Sequence, residues 1–233
     1  GGLMRDDLRA NGLVPTTEPY TALGYTYVGT GSGVSISPLW LDTIGDRAIV
    51  DWVVLEVRSN TAPYSIIRSK PAILLRNGEV WDTDGDRYIN FGILPAVSRR
   101  LAIRHRNHLG VMTGGLVLLY EQPLQNAIDL RLGSLSVYGT DARMQIGTTR
   151  CLWPGDANFN GQVKYAGAAN DRDAMLAAIG GINPTATVSG QYRLEDVNMD
   201  GVVKYAGANN DRDVVLQTIG GSVPTATRTQ QLP

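Results

Sequence analysis

Two segments of the chain place oxygen-bearing side chains at regular spacing before a glycine. Residues 156–173 and 196–213 have nearly the same sequence, the second forty residues after the first. In each, Asp or Asn stands at every second position before Gly161 or Gly201, as in a loop that wraps a hard cation with oxygen ligands. We therefore expect two calcium sites, with Ca2+ as the cofactor. The predicted ligands are Asp156, Asn158, Asn160, Gln162 through its carbonyl, Asp171, Asp173, Asp196, Asn198, Asp200, Val202 through its carbonyl, Asp211 and Asp213.

The two loops depart from an ordinary EF-hand at the twelfth position, where a bidentate acid is usual. Gly167 and Gly207 stand there, and the next acids follow only after an insertion. We interpret the insertion as an excursion that returns the acids to the ion. The alternative is that Asp-Asn-Gly clusters are simply turns, but the duplication at fixed spacing favours metal binding. Because Asp200 replaces Asn160, we expect the second loop to bind calcium more tightly.

Two weaker candidate sites lie outside the repeat. Asp82, Asp84 and Asp86 form an acidic loop that offers oxygen ligands for a further calcium ion, although a polar turn is the favoured interpretation because no acid follows nearby. Asp42-Thr43-Ile44 resembles a short signal for O-glycosylation, so Thr43 is a candidate attachment site.

Residues 104–108, Arg-His-Arg-Asn-His, are the best place to look for catalysis. On a strand, alternation puts His105 and Asn107 on one face and His108 on the other, so the histidines do not converge on a metal. The sequence contains no recognisable Ser-His-Asp arrangement or phosphate-binding loop. We expect these residues to make structural hydrogen bonds, and we predict no catalytic residues and no enzymatic activity.

Each loop must be positioned by the elements around it. Residues 173–179 and 213–219 are predicted helices of about two turns, each followed by Gly-Gly, which suits a left-handed cap. Neither helix can bury its apolar face alone, so we expect the two to pack together. Val163 and Val203, at position eight of each loop, are expected to join the two loops.

The chain before the repeat reads as a series of short strands. We predict a helical turn over residues 3–12, a hairpin turn of type I′ at Asn77-Gly78, and a domain boundary that divides residues 1–150 from residues 151–233. The alternation of residues favours an antiparallel β-sandwich followed by a small α-helical module with duplicated calcium loops. The predicted strands cover residues 25–28, 48–58, 65–75, 87–91, 99–106, 116–120 and 127–132.

The composition excludes several classes of partner. A formal net charge of -1 over 233 residues gives no reason to expect binding to nucleic acid or to an anionic membrane. No apolar run is long enough for a membrane span. The single cysteine, Cys151, excludes an internal disulfide.

The pattern Asp-x-Asn-x-Asn/Asp-Gly-x-Val, present twice, resembles the dockerin duplicated calcium module. With its insertion, the repeat is similar to the C-terminal regions of large secreted proteins of the Bacteroidota, which have no settled biochemical role. The resemblance extends to residues 2–9, 51–53, 104–113 and 231–233. It implies an extracellular or cell-surface location. Such relatives have a strand-like segment before Gly2-Leu3-Met4, and its absence here predicts an open sheet edge.

These observations give two hypotheses about function. The first is an extracellular calcium-binding structural protein that assembles into fibres or adheres to cells, with subunits joined by strand complementation. Its partner would be another copy of itself or another cell-surface protein. The alternative is an anchoring module of a larger secreted protein, which binds a receptor as dockerins do or binds glycans.

Overall fold

The computed structural model describes residues 2–95, 97–119 and 127–233. Strands account for 27% of the chain and helices for 12%, and the sheets are antiparallel, with a curled half-barrel. The prediction of a mainly β, antiparallel fold is therefore confirmed. Within the described residues, no helix is long and apolar enough to cross a membrane.

One antiparallel sheet dominates the first two thirds of the described chain. It follows a short helix, α1 (Asp7–Ala10), which confirms the predicted helical turn. The strand order is β3-β2-β1-β4-β5, and β6 pairs with the other end of β4. The strands are β1 (Ile49–Arg58), β2 (Ile66–Leu75), β3 (Val80–Trp81), β4 (Ser98–His105), β5 (His108–Met112) and β6 (Val117–Leu118).

β1 is the central strand of this sheet. Apolar residues on each of its two faces enter a buried core. Trp52 and Val54 enter a core with Leu8, Tyr20 and Ile73 on one face. On the other face, Val53 packs in a second core with residues of the neighbouring strands. Residues that face the first core and residues that face the second core alternate along β1, as predicted. β1 pairs with β2 along its length and with β4 over its second half, residues 54–58, so the predicted strands over 48–58, 65–75 and 99–106 are confirmed.

The hairpin between β2 and β3 forms at Asn77-Gly78, as predicted. The Gly78 amide donates to the Leu75 carbonyl at 2.8 Å. Gly78 has a φ of 86°, but Asn77 does not have a positive φ. The turn is therefore not of type I′, which needs a positive φ at both central residues.

Several predicted strands are wrong or shorter than expected. Residues 25–28, 87–91 and 127–132 form no strand, and of residues 116–120 only β6 is one, while Tyr120 lies outside the described residues. Side-chain contacts replace the expected ladders. The Val28 amide donates to the Ser69 hydroxyl at 2.8 Å, and the Leu130 carbonyl accepts from Arg143.

Six short strands and two helices form the rest of the described chain. The first pair, β7 (Met144–Ile146) and β8 (Thr149–Cys151), is a hairpin. The others are β9 (Gln162–Lys164), α2 (Asp171–Ala178), β10 (Thr187–Ser189), β11 (Val202–Lys204), α3 (Asp211–Thr218) and β12 (Thr227–Thr229).

The predicted pairing of the two loops is wrong. β9 pairs with β12, and β11 pairs with β10, so Val163 lies opposite Arg228 and Val203 opposite Val188. Each loop strand thus pairs with the segment that follows the helix of the other repeat. The two helices do contact each other, and Met175 and Val215 share one buried core, as predicted.

The helices begin two residues earlier than predicted. Asn170 and Asn210 are the N-caps, and each side chain accepts a hydrogen bond from the amide three residues later. Asp171 and Asp211 are therefore the first helical residues. This shift decides which acids face the loops.

Candidate metal centre

The first acid of each loop is buried and organises the turn around itself. Asp156 and Asp196 are 2% and 0% exposed. The two carboxylate oxygens of Asp156 accept from the amides of Asn160 at 2.9 Å and Gly161 at 2.8 Å. Asp196 makes the equivalent bonds forty residues later. Gly161 has a φ of 78°, which favours glycine where the chain folds back over the carboxylate.

Of each predicted pair of displaced acids, one returns to its loop, as the first residue of the helix. Asp171 and Asp211 are both 0% exposed. The oxygens of Asp171 accept from the amides of Ala157 at 2.7 Å and Lys164 at 2.8 Å, which follow Asp156 in the loop. Asp211 repeats this geometry in the second loop. Each loop therefore brings two buried carboxylates to the same turn.

The electrostatics of this pair fit a cation site. Burial raises the pKa of Asp156 to about 6. Burial and then the nearby charge of Asp156 raise the pKa of Asp171 to about 7. In the second loop burial raises the pKa of Asp196, and burial followed by the charge of Asp196 raises the pKa of Asp211 to about 7. Among the described residues, none of these four acids forms an ion pair with a basic side chain.

These shifts predict how the stability of the calcium-free protein depends on pH. A carboxyl whose pKa is higher in the folded state stabilises the fold at low pH, and this contribution is lost as pH rises through the folded pKa. In a calcium chelator, the free energy of unfolding is expected to fall between about pH 4, near the ordinary carboxyl pKa, and about pH 7, where the raised pKa values lie, by roughly 4–7 kcal/mol per loop. Urea unfolding measures it, and the Asp171→Asn, Asp211→Asn double variant should flatten the slope. A slope that is unchanged in this variant would contradict the assignment.

The polar residues between the acids complete an all-oxygen donor set. Asn158 and Asn160 in the first loop, and Asn198 and Asp200 in the second, use their Oδ1 atoms to accept amides two residues ahead. Gln162 and Val202, whose carbonyls are predicted ligands, are the first residues of β9 and β11. Carboxylate, amide and carbonyl oxygens are the ligands that calcium prefers.

No group of three or more His, Cys, Asp or Glu side chains in the described ranges is arranged to hold a metal ion. Each candidate centre instead combines two buried carboxylates with amide and backbone oxygens. The donor set fits calcium through its chemistry, and calcium binding stays a prediction.

Asp173 and Asp213 are placed differently from the other predicted ligands. The Asn170 amide group donates to Asp173 at 2.7 Å, and Arg172 lies against the same carboxylate. The Asp173 side chain is 59% exposed, and Asp213 has the same arrangement with Asn210 and Arg212. These contacts are those of a helix cap, and Asp171 and Asp211 make the contacts to the loops.

The weaker candidates have other contacts. Asp82 is buried and accepts from the ammonium of Lys70 and from the amide of Asn90. Asp84 and Asp86 accept amides of their own turn. Lys70 on β2 supplies the positive charge beside Asp82, and the other bonds are those of a polar turn. Thr43 is exposed at the end of a short 3-10 helix, and its glycosylation stays a prediction.

Each loop is joined to the main sheet by an apolar side chain at its fourth position. Phe159 and Met199 have positive φ angles of 57° and 59°. Both pack against the core that contains Trp52, and the ring of Phe159 lies 6.0 Å from that of Tyr20. The conformation of the loops is thus linked physically to the packing of the sheet.

A buried polar cluster, which was not predicted from the sequence, lies under the second loop. The carboxylate of Asp51 accepts from His105 Nε2 at 3.1 Å and Arg106 Nε at 2.8 Å, and also from the Tyr192 hydroxyl. The Arg106 guanidinium stacks on the Tyr192 ring at 4.2 Å. The signal was present, because Asp51 is one of three charged residues, with Glu56 and Arg58, in a strand, β1, whose other residues are all apolar. Residues 104–108 do make the structural hydrogen bonds that were predicted.

No protein-family model, curated protein or solved structure matches this chain. The similarity to dockerins and to secreted proteins of the Bacteroidota therefore rests on the motifs of the sequence alone.

Proposed function

We propose that the chain is an extracellular, calcium-binding structural protein without enzymatic activity. The observation that carries this proposal is the duplicated pair of buried carboxylates, Asp156 with Asp171 and Asp196 with Asp211, which have no basic partner among the described residues. A bound calcium ion supplies the positive charge that allows both carboxylates of a loop to stay ionised. Asn158, Asn160 and the Gln162 carbonyl, with their counterparts in the second loop, would complete the coordination.

In this proposal, calcium has a structural role and holds the loops in one conformation. Phe159 and Met199 connect the loops to the core of the sheet, so fixing the loops also fixes the packing beneath them. The two short helices bury their apolar residues against each other, which leaves no hydrophobic groove of the kind that a calcium sensor opens. We assign residues 1–150 to a sandwich-like β domain and residues 151–233 to a dockerin-like calcium module.

The proposed structural role includes self-assembly through an added strand at β6. Within the described chain, β6 pairs only with β4, through Ser98 and Arg99. Leu116 and Leu132 are 50% and 52% exposed and line a groove of about 390 Å³ beside β6. An open strand edge next to exposed apolar side chains is the arrangement that strand addition uses.

Light scattering with and without calcium tests this role. The calcium-loaded protein is expected to form multimers, and Leu116→Asp should leave it monomeric because a charge in the groove opposes burial. Ile182→Asp is the matched control, since Ile182 is 92% exposed and lies outside the groove. Electron microscopy of the multimers then shows whether they are fibres. A monomer that does not respond to calcium would contradict assembly.

A further inference from the structure

The turn between β4 and β5 contacts both candidate calcium loops through a single residue. Asn107 is 0% exposed. Its backbone carbonyl accepts from the amides of Gly155 at 3.0 Å and Asp156 at 3.1 Å. Its side-chain amide donates to the carbonyls of Leu194 at 3.1 Å and Asp196 at 2.7 Å. One residue therefore holds the first position of both loops.

The neighbouring residues of the β4–β5 turn orient the side chain of Asn107. Its Oδ1 atom accepts from Nδ1 of His108 at 2.8 Å, which leaves Nδ2 to face the second loop. Burial lowers the pKa of His108 well below its usual value, so this histidine is neutral. The preceding residue, Arg106, is bound to Asp51 on β1. The turn is thus anchored in the sheet and reaches both loops.

We propose that Asn107 is a positioning residue that couples the two calcium sites, so that one bound ion raises the affinity for the other. This inference rests on the proposed calcium binding. Asp156 and Asp196 are the first ligands of their loops, and both are held by Asn107. Ordering one loop restrains Asn107, and the second loop then loses less conformational freedom when it binds its ion. Such coupling is reciprocal between the sites.

The two contacts of Asn107 differ chemically, which makes the proposal specific. Asn107→Ala keeps the backbone carbonyl that holds Gly155 and Asp156, but it removes the amide that holds Leu194 and Asp196. When each loop is measured alone, in the Asp171→Asn or the Asp211→Asn background, the substitution should therefore weaken calcium binding at the second loop and leave binding at the first loop nearly unchanged. A residue that only stabilised the fold would affect both loops alike.

Calcium titration calorimetry on a set of variants measures the coupling. Asp171→Asn leaves only the second loop able to bind, and Asp211→Asn leaves only the first. The product of the two binding constants of the wild type is expected to exceed the product from the single-loop variants by about fivefold or more. With Asn107→Ala added to all three proteins, this ratio should fall to about one. Independent sites in the wild type, or an equal loss at both loops, would overturn the coupling while calcium binding stands. No calcium uptake by the wild type overturns the proposed function as well.

Hydrogen exchange tests the same coupling without a change at Asn107. In the Asp171→Asn variant, calcium fills only the second loop. The amides of Gly155 and Asp156, which bond to Asn107, should then exchange about fivefold more slowly if the coupling exists. The Gly78 amide in the remote β2–β3 hairpin serves as the control. Unchanged exchange at Gly155 and Asp156 would overturn the proposal.

Discussion

Replacement of Asp51 by alanine is expected to lower the free energy of unfolding by about 3–5 kcal/mol, because it leaves a buried guanidinium without its counter-ion. Asp51 and Arg106 are both 0% exposed. Burial alone would raise the pKa of Asp51, but Arg106 and His105 outweigh it and hold the pKa below its usual value. The carboxylate therefore stabilises the fold above its unfolded pKa, and this contribution is lost as the pH falls.

Urea unfolding at neutral pH measures the effect of Asp51→Ala. Asp42→Ala, which replaces an exposed acid that precedes β1, is the control and should change stability by less than about 0.5 kcal/mol. Adding Arg106→Met to Asp51→Ala should recover part of the loss, since it removes the unpaired charge. Equal effects of the Asp51 and Asp42 substitutions would show that the buried ion pair does not stabilise the protein.

Calcium is expected to stabilise the wild type strongly. An ion that binds only the folded state adds about 2.7 kcal/mol per site when its free concentration is about 100 times Kd. For two loops the increase is roughly 5 kcal/mol, measured as the difference between unfolding in calcium and in chelator. The physical reason is that each ion compensates two carboxylates whose charge is otherwise unfavourable at neutral pH.

Matched substitutions separate the ligands from the helix caps. Asp171→Asn together with Asp211→Asn should abolish the stabilisation by calcium. Asp173→Asn together with Asp213→Asn should cost about 1 kcal/mol per helix through the weakened cap and leave most of the calcium effect intact. If the second pair removes the calcium effect and the first does not, then the assignment of the ligands is wrong.

The sequence predicted the elements that are marked by a periodic pattern of apolar residues or by a local turn motif. β1 was found because its two apolar faces alternate, and the hairpin at Asn77-Gly78 because glycine marks the turn. The strands predicted over residues 25–28 and 127–132 failed for a different reason. The Val28 amide bonds to the Ser69 hydroxyl, and the Leu130 carbonyl bonds to Arg143. Such contacts between distant residues are invisible to a local pattern.

The candidate site was predicted to a similar extent. Counting loop positions led to Asp171, which the structure does place against the loop, but could not separate it from Asp173. That distinction depends on Asn170 acting as the helix cap, which moves the helix start by two residues. The forty-residue period indicated a duplicated unit, but a period cannot tell which segment each loop strand pairs with. The crossed pairing of β9 with β12 follows from three-dimensional packing.

Calorimetric titration of the wild type with calcium tests the central claim most directly. Two ions per chain are expected to bind, with the second loop tighter than the first because Asp200 adds a carboxylate where the first loop has Asn160. The Asp171→Asn variant should bind one ion, and the Asp171→Asn, Asp211→Asn double variant none. A wild type that takes up no calcium, or a double variant that still binds two ions, would contradict the account.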